Sequence, residues 1–217
     1  IYLMMLTLAS VASIYATEVT VTRCEGWLES AMLQWSPVDG AAKYSVSYSG
    51  EGINGVAEDM LIRTYTGYVR CDIPGLKAGS YTLTVKALDD KNAEIATSTQ
   101  QSVTVKAHNR EGYAFTDNVV PGGYNMDGTP KANAKIIYVT ANTVNTVTCE
   151  VSDGKNISTY IGLANIISAC GKDKTHTPLI VRVVGTVKNT DIEGLKDGNY
   201  LNFEGKNATD CSLENVT

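Results

Sequence analysis

The sequence predicts an all-β chain in two units, a sandwich followed by a second β-rich segment that carries one helix. Three observations lead there. Tyr numbers 12 against 2 Phe, and Tyr together with abundant Thr and Val suits a pleated, half-buried surface. Seven short runs with period-two alternation, separated by turn residues, fill the first half of the chain. After Lys106 the texture changes to a Gly-rich entry and longer apolar runs.

The 217 residues suffice for one large domain or two small ones, each with its own core. A hydrophobic fraction of 43% is that of an ordinary globular chain. The net charge is −5 and no basic stripe is present, which argues against a nucleic-acid partner. An anionic substrate stays open, since a basic site needs only to be local.

The five cysteines are Cys24, Cys71, Cys149, Cys170 and Cys211, with no C-x-x-C pair, and there are only two His, His108 and His176. A zinc site is therefore not expected. The spacing of Cys24 and Cys71 is open to a bridge, but it matches no disulfide framework, and buried thiols are the simpler reading.

Residues Ile1–Ala16 read IYLMMLTLASVASIYA, an apolar run followed by small residues. This is the pattern of a signal peptide over 1–16, and it is too short to span a membrane. The positively charged lead-in is missing, so the start of the reading frame is expected upstream. Cleavage after Ala16 fits, although Ile14 at the −3 position is not ideal, and no Cys follows for a lipid anchor. A buried first strand or helix is the competing reading. Export implies a secreted, periplasmic or cell-surface protein, and a bacterial source is expected.

The first unit is expected over 17–106. Its strand runs are Glu18–Arg23, Ser30–Trp35, Ala42–Tyr48, Asp59–Tyr65, Tyr68–Ile73, Ser80–Leu88 and Gln101–Lys106. Leu33 and Trp35 share one face, as do Tyr44, Val46 and Tyr48, and then Tyr81, Leu83 and Val85. Pro37-Val38-Asp39-Gly40 and Lys77-Ala78-Gly79 supply turns. Seven short strands at this spacing make a sandwich. The stretch from Ala31 to Val46 resembles the second and third strands of fibronectin type III modules, with Trp35 as the core tryptophan and Tyr44 its partner. Ile73-Pro74-Gly75-Leu76-Lys77-Ala78-Gly79-Ser80-Tyr81 resembles the family's tyrosine corner, with Leu76 in the core and Tyr81 bonding back to backbone. Trp35 and Tyr81 are thereby assigned to packing. Trp27, Tyr65 and Tyr68 stay open between packing and a sugar-stacking platform.

The second segment, 107–217, begins with the connector Ala107-His108-Asn109-Arg110, then Glu111-Gly112-Tyr113-Ala114-Phe115, Pro121-Gly122-Gly123-Tyr124 and Met126-Asp127-Gly128. Lys135–Thr140 reads as a strand, and Asn142–Thr148 as another. The spacing of Ile157, Tyr160, Ile161, Ala164, Ile167 and Ser168 predicts a helix over Ile157–Ala169, with Gly171 as its C-cap and Lys172 and Lys174 beyond. Leu179–Val184 is apolar except for Arg182, the pattern of a strand buried on both faces of a parallel sheet. Tyr200–Phe203 and Cys211–Val216 supply further short strands.

That order, with the phrase Thr177-Pro178-Leu179-Ile180-Val181-Arg182-Val183-Val184-Gly185-Thr186-Val187, resembles the start of the pectate lyase family, polysaccharide lyase family one. The resemblance implies a capping helix and the first coils of a right-handed parallel β-helix, truncated at Thr217. It implies a secreted enzyme that cleaves pectic polysaccharide (polygalacturonate) by β-elimination. Calcium would pair with the uronate carboxylate, and an arginine would remove the C5 proton. Those residues lie on later coils, so no catalytic, cofactor-binding or metal residue is carried over and this chain alone is expected to be inactive. Arg182 matches the first strand and reads as structural. Asp191, Glu193 and Asp197 sit among Gly194 and Gly198 and read as a solvated turn more readily than as calcium ligands. Asn156-Ile157-Ser158, Asn207-Ala208-Thr209 and Asn215-Val216-Thr217 match the N-glycosylation pattern, which means little in a bacterial exported protein. An incomplete stack leaves strand edges unpaired, so the second segment alone is expected to fold poorly. A monomer without a membrane span is expected. The alternative function is a noncatalytic secreted protein that binds glycans or acts in surface adhesion.

Overall fold

The computed structural model describes residues 17–112, 115, 122–170, 175, 177–188, 191–193 and 211–216, the last for backbone only. The leader, Gly171, His176, Asp197, Tyr200–Phe203 and Asn207 lie outside the described residues.

In chain order the strands are β1 (Thr17–Glu18), β2 (Val21–Trp27), β3 (Ser30–Trp35), β4 (Lys43–Gly50), β5 (Ile53–Val56), β6 (Ile62–Tyr65), β7 (Tyr68–Pro74), β8 (Gly79–Leu88), β9 (Glu94–Thr97) and β10 (Gln101–Val105). There follow β11 (Lys135–Val139), β12 (Thr148–Ser152), β13 (Ile157–Ile161), helix α1 (Leu163–Cys170), β14 (Leu179–Val184) and β15 (Cys211–Val216).

The first ten strands form two sheets. One runs β2-β3-β7-β6, the other β1-β9-β8-β4-β5 with β10 also on β8. Apart from the short parallel pair β1–β9 the pairing is antiparallel, and two such sheets in this connection order make a sandwich of the immunoglobulin and fibronectin type III architecture. Alternation drives it: Leu33, Trp35, Val69, Cys71, Leu83 and Val85 all reach 0% exposure in the shared core. Trp35 meets Tyr44 edge-on at 5.3 Å. Tyr81, 1% exposed, donates its hydroxyl to Lys77 O at 3.0 Å. The tryptophan pair and the tyrosine corner are therefore both present. A seam closes one edge, where Lys106 N–H donates to Trp27 O and Glu29 N–H donates to Lys106 O, both at 2.8 Å.

Two strands escape the sequence pattern. β5 follows a two-residue turn in which Glu51 and Gly52 have φ of 49° and 80°. That is the primed hairpin geometry, here with Glu where Asn or Gly is usual. β9 follows a turn in which the Asp89 carboxylate accepts from the N–H groups of Lys91 and Ala93.

Cys24, Cys71, Cys149 and Cys170 are thiols, not half-cystines. Cys24 and Cys71 are both register partners of Leu33, on opposite sides of it. With β3 between them their Cα atoms are two strand spacings apart, about 10 Å, beyond the ~7 Å a disulfide spans.

In the second segment β11, β14 and β15 form a parallel ladder in chain order, with Ile137 opposite Val181 and Val181 opposite Leu213. β12 and β13 form an antiparallel hairpin. The helix expected over Ile157–Ala169 is corrected. Its first part is strand β13, because Ile157, Thr159 and Ile161 are β-branched and pair with β12, and Gly162, at φ 81°, separates strand from helix. The strand expected over Asn142–Thr148 is also corrected. Residues 141–146 are turns held by Thr140 and Thr143, and the strand starts at Thr148. A β-helix needs further parallel ladders to close each coil, and among the described residues of this segment β11-β14-β15 is the one present. A second core joins Ile137, Val139, Val151, Leu163, Ile166, Leu179 and Val181.

Candidate functional site

The sheet β2-β3-β7-β6 turns one face to the core and the other outward. Pairing places Arg23, Glu25 and Trp27 of β2 on the outward face, with Gln34 of β3, Tyr68, Arg70 and Asp72 of β7, and Arg63 and Tyr65 of β6. Three arginines and three aromatic rings thus share one surface.

Their geometry is organised around Asp72, which is buried. Arg63 pairs with its carboxylate, and Arg70 donates to it from Nη2 at 2.7 Å and Nε at 2.9 Å. Each guanidinium lies over a ring: Arg70 is 5.3 Å from the Trp27 centroid and Arg63 is 5.8 Å from that of Tyr65. Tyr65 stacks on Tyr68 at 4.8 Å with 16° between planes. At the other end the Glu25 carboxylate accepts from Trp27 Nε1 at 3.1 Å and from Arg23 at 2.6 Å. These two hydrogen bonds hold the Glu25 carboxyl below its ordinary range. The bond to Asp72 raises the Arg70 guanidinium further, so it stays charged.

The band Trp27–Arg70–Asp72–Arg63–Tyr65–Tyr68 presents flat faces beside fixed donors and acceptors. Trp27 and Tyr65 remain 41% and 39% exposed. Each ring offers an apolar body with a polar tip. The rings suit the C–H faces of a sugar, and guanidinium and carboxylate suit its hydroxyls.

The sequence singles out Trp27, Tyr65 and Tyr68 as undetermined, and the structure brings all three onto this face. It passes over Arg63, Arg70, Asp72 and Glu25. The available signal was period two, clearest in Tyr68-x-Arg70-x-Asp72, which alternates with the buried Val69 and Cys71.

Other expected sites resolve differently. Arg182 is 5% exposed, donates to the Tyr138 hydroxyl at 2.8 Å and lies 3.5 Å from Pro74 O at the end of β7. The Asp191 carboxylate accepts from Lys188 N–H, and the Glu193 N–H donates to Asn145 Oδ1. Both belong to a loop anchored by Asn145. No group of three His, Cys, Asp or Glu suited to a metal occurs among the described residues, and Asp197 lies outside them. No helix among the described residues is long and apolar enough to cross a membrane.

No protein-family model matches the chain, and no curated protein matches it. Solved structures share its outline at low similarity. A β-1,2-glucanase from Parabacteroides distasonis aligns at 16% identity and TM-score 0.32, over 42% of this chain and 13% of that one. A Fn3-like protein from Clostridium thermocellum aligns at 19% identity and TM-score 0.30, over 45% and 99%. The fibronectin type III domain of human fibronectin type III domain containing protein 3 aligns at 15% and 0.31, over 46% and 94%. The chain thus spans only a small part of the glucanase. Strand order and the tyrosine corner, not these likenesses, define the sandwich.

Proposed function

We propose that this chain belongs to an exported bacterial protein whose sandwich binds glycan chains without catalysis, through the outward face that carries Trp27, Tyr65 and Tyr68. The observation that carries the reading is the band in which two guanidinium groups and three rings lie in continuous contact around Asp72. Stacking on exposed rings supplies affinity, and the fixed polar groups supply orientation. The apolar leader over 1–16 supports export.

Affinity electrophoresis against polygalacturonate and a set of neutral polysaccharides tests it. Retardation by at least one polymer is expected. Trp27→Ala or Tyr65→Ala weakens it on the order of tenfold, as for a ring at the centre of a contact. Retardation that survives loss of both rings would overturn the reading.

A second reading, the opening of a secreted pectate lyase with its catalytic coils further along the parent protein, is favoured by one observation. The strands β11, β14 and β15 stack parallel, in register and in chain order, as successive coils of a solenoid do. Calcium-dependent release of unsaturated uronates by the parent protein would establish it, and an inactive parent would remove it.

A further inference from the structure

Parallel sheets are stable when both faces are covered. On one face of the ladder Ile137, Val139, Leu179 and Val181 enter the core built with α1. Alternation puts Ile136, Tyr138, Ile180, Arg182 and Val184 on the other. That second face is covered by the sandwich and by the segment leading out of it. Val184 is part of the sandwich's own core cluster, and Tyr138 packs against the same cluster.

The polar contacts run the same way. Arg182 donates to the Tyr138 hydroxyl, and its Nη2 lies 3.5 Å from both Pro74 O of β7 and the Tyr124 hydroxyl. It lines a cleft of about 510 Å³ between the units. Close approach is required: a Cβ on Gly75, which has φ 77°, would sit 2.9 Å from Arg182 Nη2 and 3.1 Å from Pro130 Cδ. A second clamp joins Arg110 to Glu29 through both carboxylate oxygens, 81 residues apart in sequence. The Arg110 guanidinium also donates to Met126 O at 3.2 Å.

We infer that the sandwich and the parallel sheet are one cooperative unit, in which the end of the sandwich around Pro74 and Gly75 is the fixed docking partner of the sheet's outer face. The sandwich is then a wall of the second unit and not a tethered spacer. Domains joined by a linker move by default. Here shared core residues and a buried guanidinium hold the aromatic band at one angle to the parallel ladder.

Urea unfolding of the full chain tests this with two independent probes. Both tryptophans, Trp27 and Trp35, lie in the sandwich, whereas Cys149 and Cys170 lie in the second core. Tryptophan emission therefore follows the sandwich, and peptide-resolved thiol labelling of the two cysteines follows the sheet. The midpoints are expected to coincide. In Arg182→Ala, labelling of Cys149 and Cys170 under native conditions accelerates on the order of tenfold to a hundredfold, the loss of a charged buried hydrogen-bond donor. Gly75→Ala acts in the same direction. Separate midpoints in the wild-type chain would overturn the inference, and this comparison decides it even if a variant does not fold. Unchanged labelling in both variants would overturn it equally.

Discussion

Tyr81 donates its hydroxyl to Lys77 O across its own turn, at 3.0 Å. The bond locks the connection between β7 and β8, residues 75–78, while Leu76 plugs the core beneath it at 1% exposure. Tyr81→Phe removes the bond and keeps the ring, so a loss of about 1 kcal/mol is expected. Leu76→Ala leaves a cavity and costs about 2–5 kcal/mol. Urea midpoints followed by tryptophan emission check both. A Phe variant as costly as the Leu76 variant would mean that the corner acts through packing alone.

The outward face separates stability from binding. The Asp72 carboxylate pairs with both Arg63 and Arg70 in a largely buried cluster that keeps one net positive charge. Removing one partner of a buried pair strands the others, and with the arginines partly exposed the low end applies, about 2–3 kcal/mol for Asp72→Ala. Trp27→Ala and Tyr65→Ala remove half-open rings and should cost within about 1 kcal/mol. Thermal melts beside glycan affinity distinguish the roles. Ring variants that unfold as readily as Asp72→Ala would recast the band as a structural ladder.

How much was legible follows from what decides each element. Alternation named β3, β7 and β8 because their inward residues are unambiguous, and the Trp35–Tyr44 pair and Tyr81 came with them. The Pro-led strand β14 and its burial were equally clear. β13 was misread because Ile157, Tyr160, Ile161 and Ala164 fit a helical period by coincidence. Pairing with β12 and the break at Gly162 outweighed that spacing. The aromatic band was legible only as three unassigned rings, since the order of strands, which sets Arg70 over Trp27 and Arg63 over Tyr65, is a tertiary property. The junction was illegible for the same reason: nothing near Arg182 in sequence announces Pro74.

Gly26 shows a constraint that no local pattern reveals. It lies in β2 where the seam with β10 brings the backbone of Thr104 and Val105 against it, and a Cβ there would collide with Thr104 O. Backbone on both sides leaves little room to relax. Gly26→Ala should therefore destabilise the sandwich by about 2–3 kcal/mol. Gly67 has nothing within 4 Å of the corresponding position, and its φ of 85° makes Gly67→Ala a matter of backbone strain alone, about 1 kcal/mol. A urea series on the two variants checks the order. Equal losses would show that the seam opens without cost.

Acid should dismantle the Trp27 end of the band before it unfolds the chain. The Glu25 carboxyl is held below its ordinary range by bonds from Arg23 and Trp27. A depressed carboxylate contributes in full above its unfolded pKa and loses that contribution as pH falls through its folded value. The window therefore lies on the acid side of about pH 4. The Trp27 indole N–H resonance should move in that window, while that of Trp35, buried in the core, stays fixed. Glu25→Gln should abolish the movement. A Trp27 resonance that is flat down to global unfolding, or that still titrates in Glu25→Gln, would show that the carboxylate does not hold the ring.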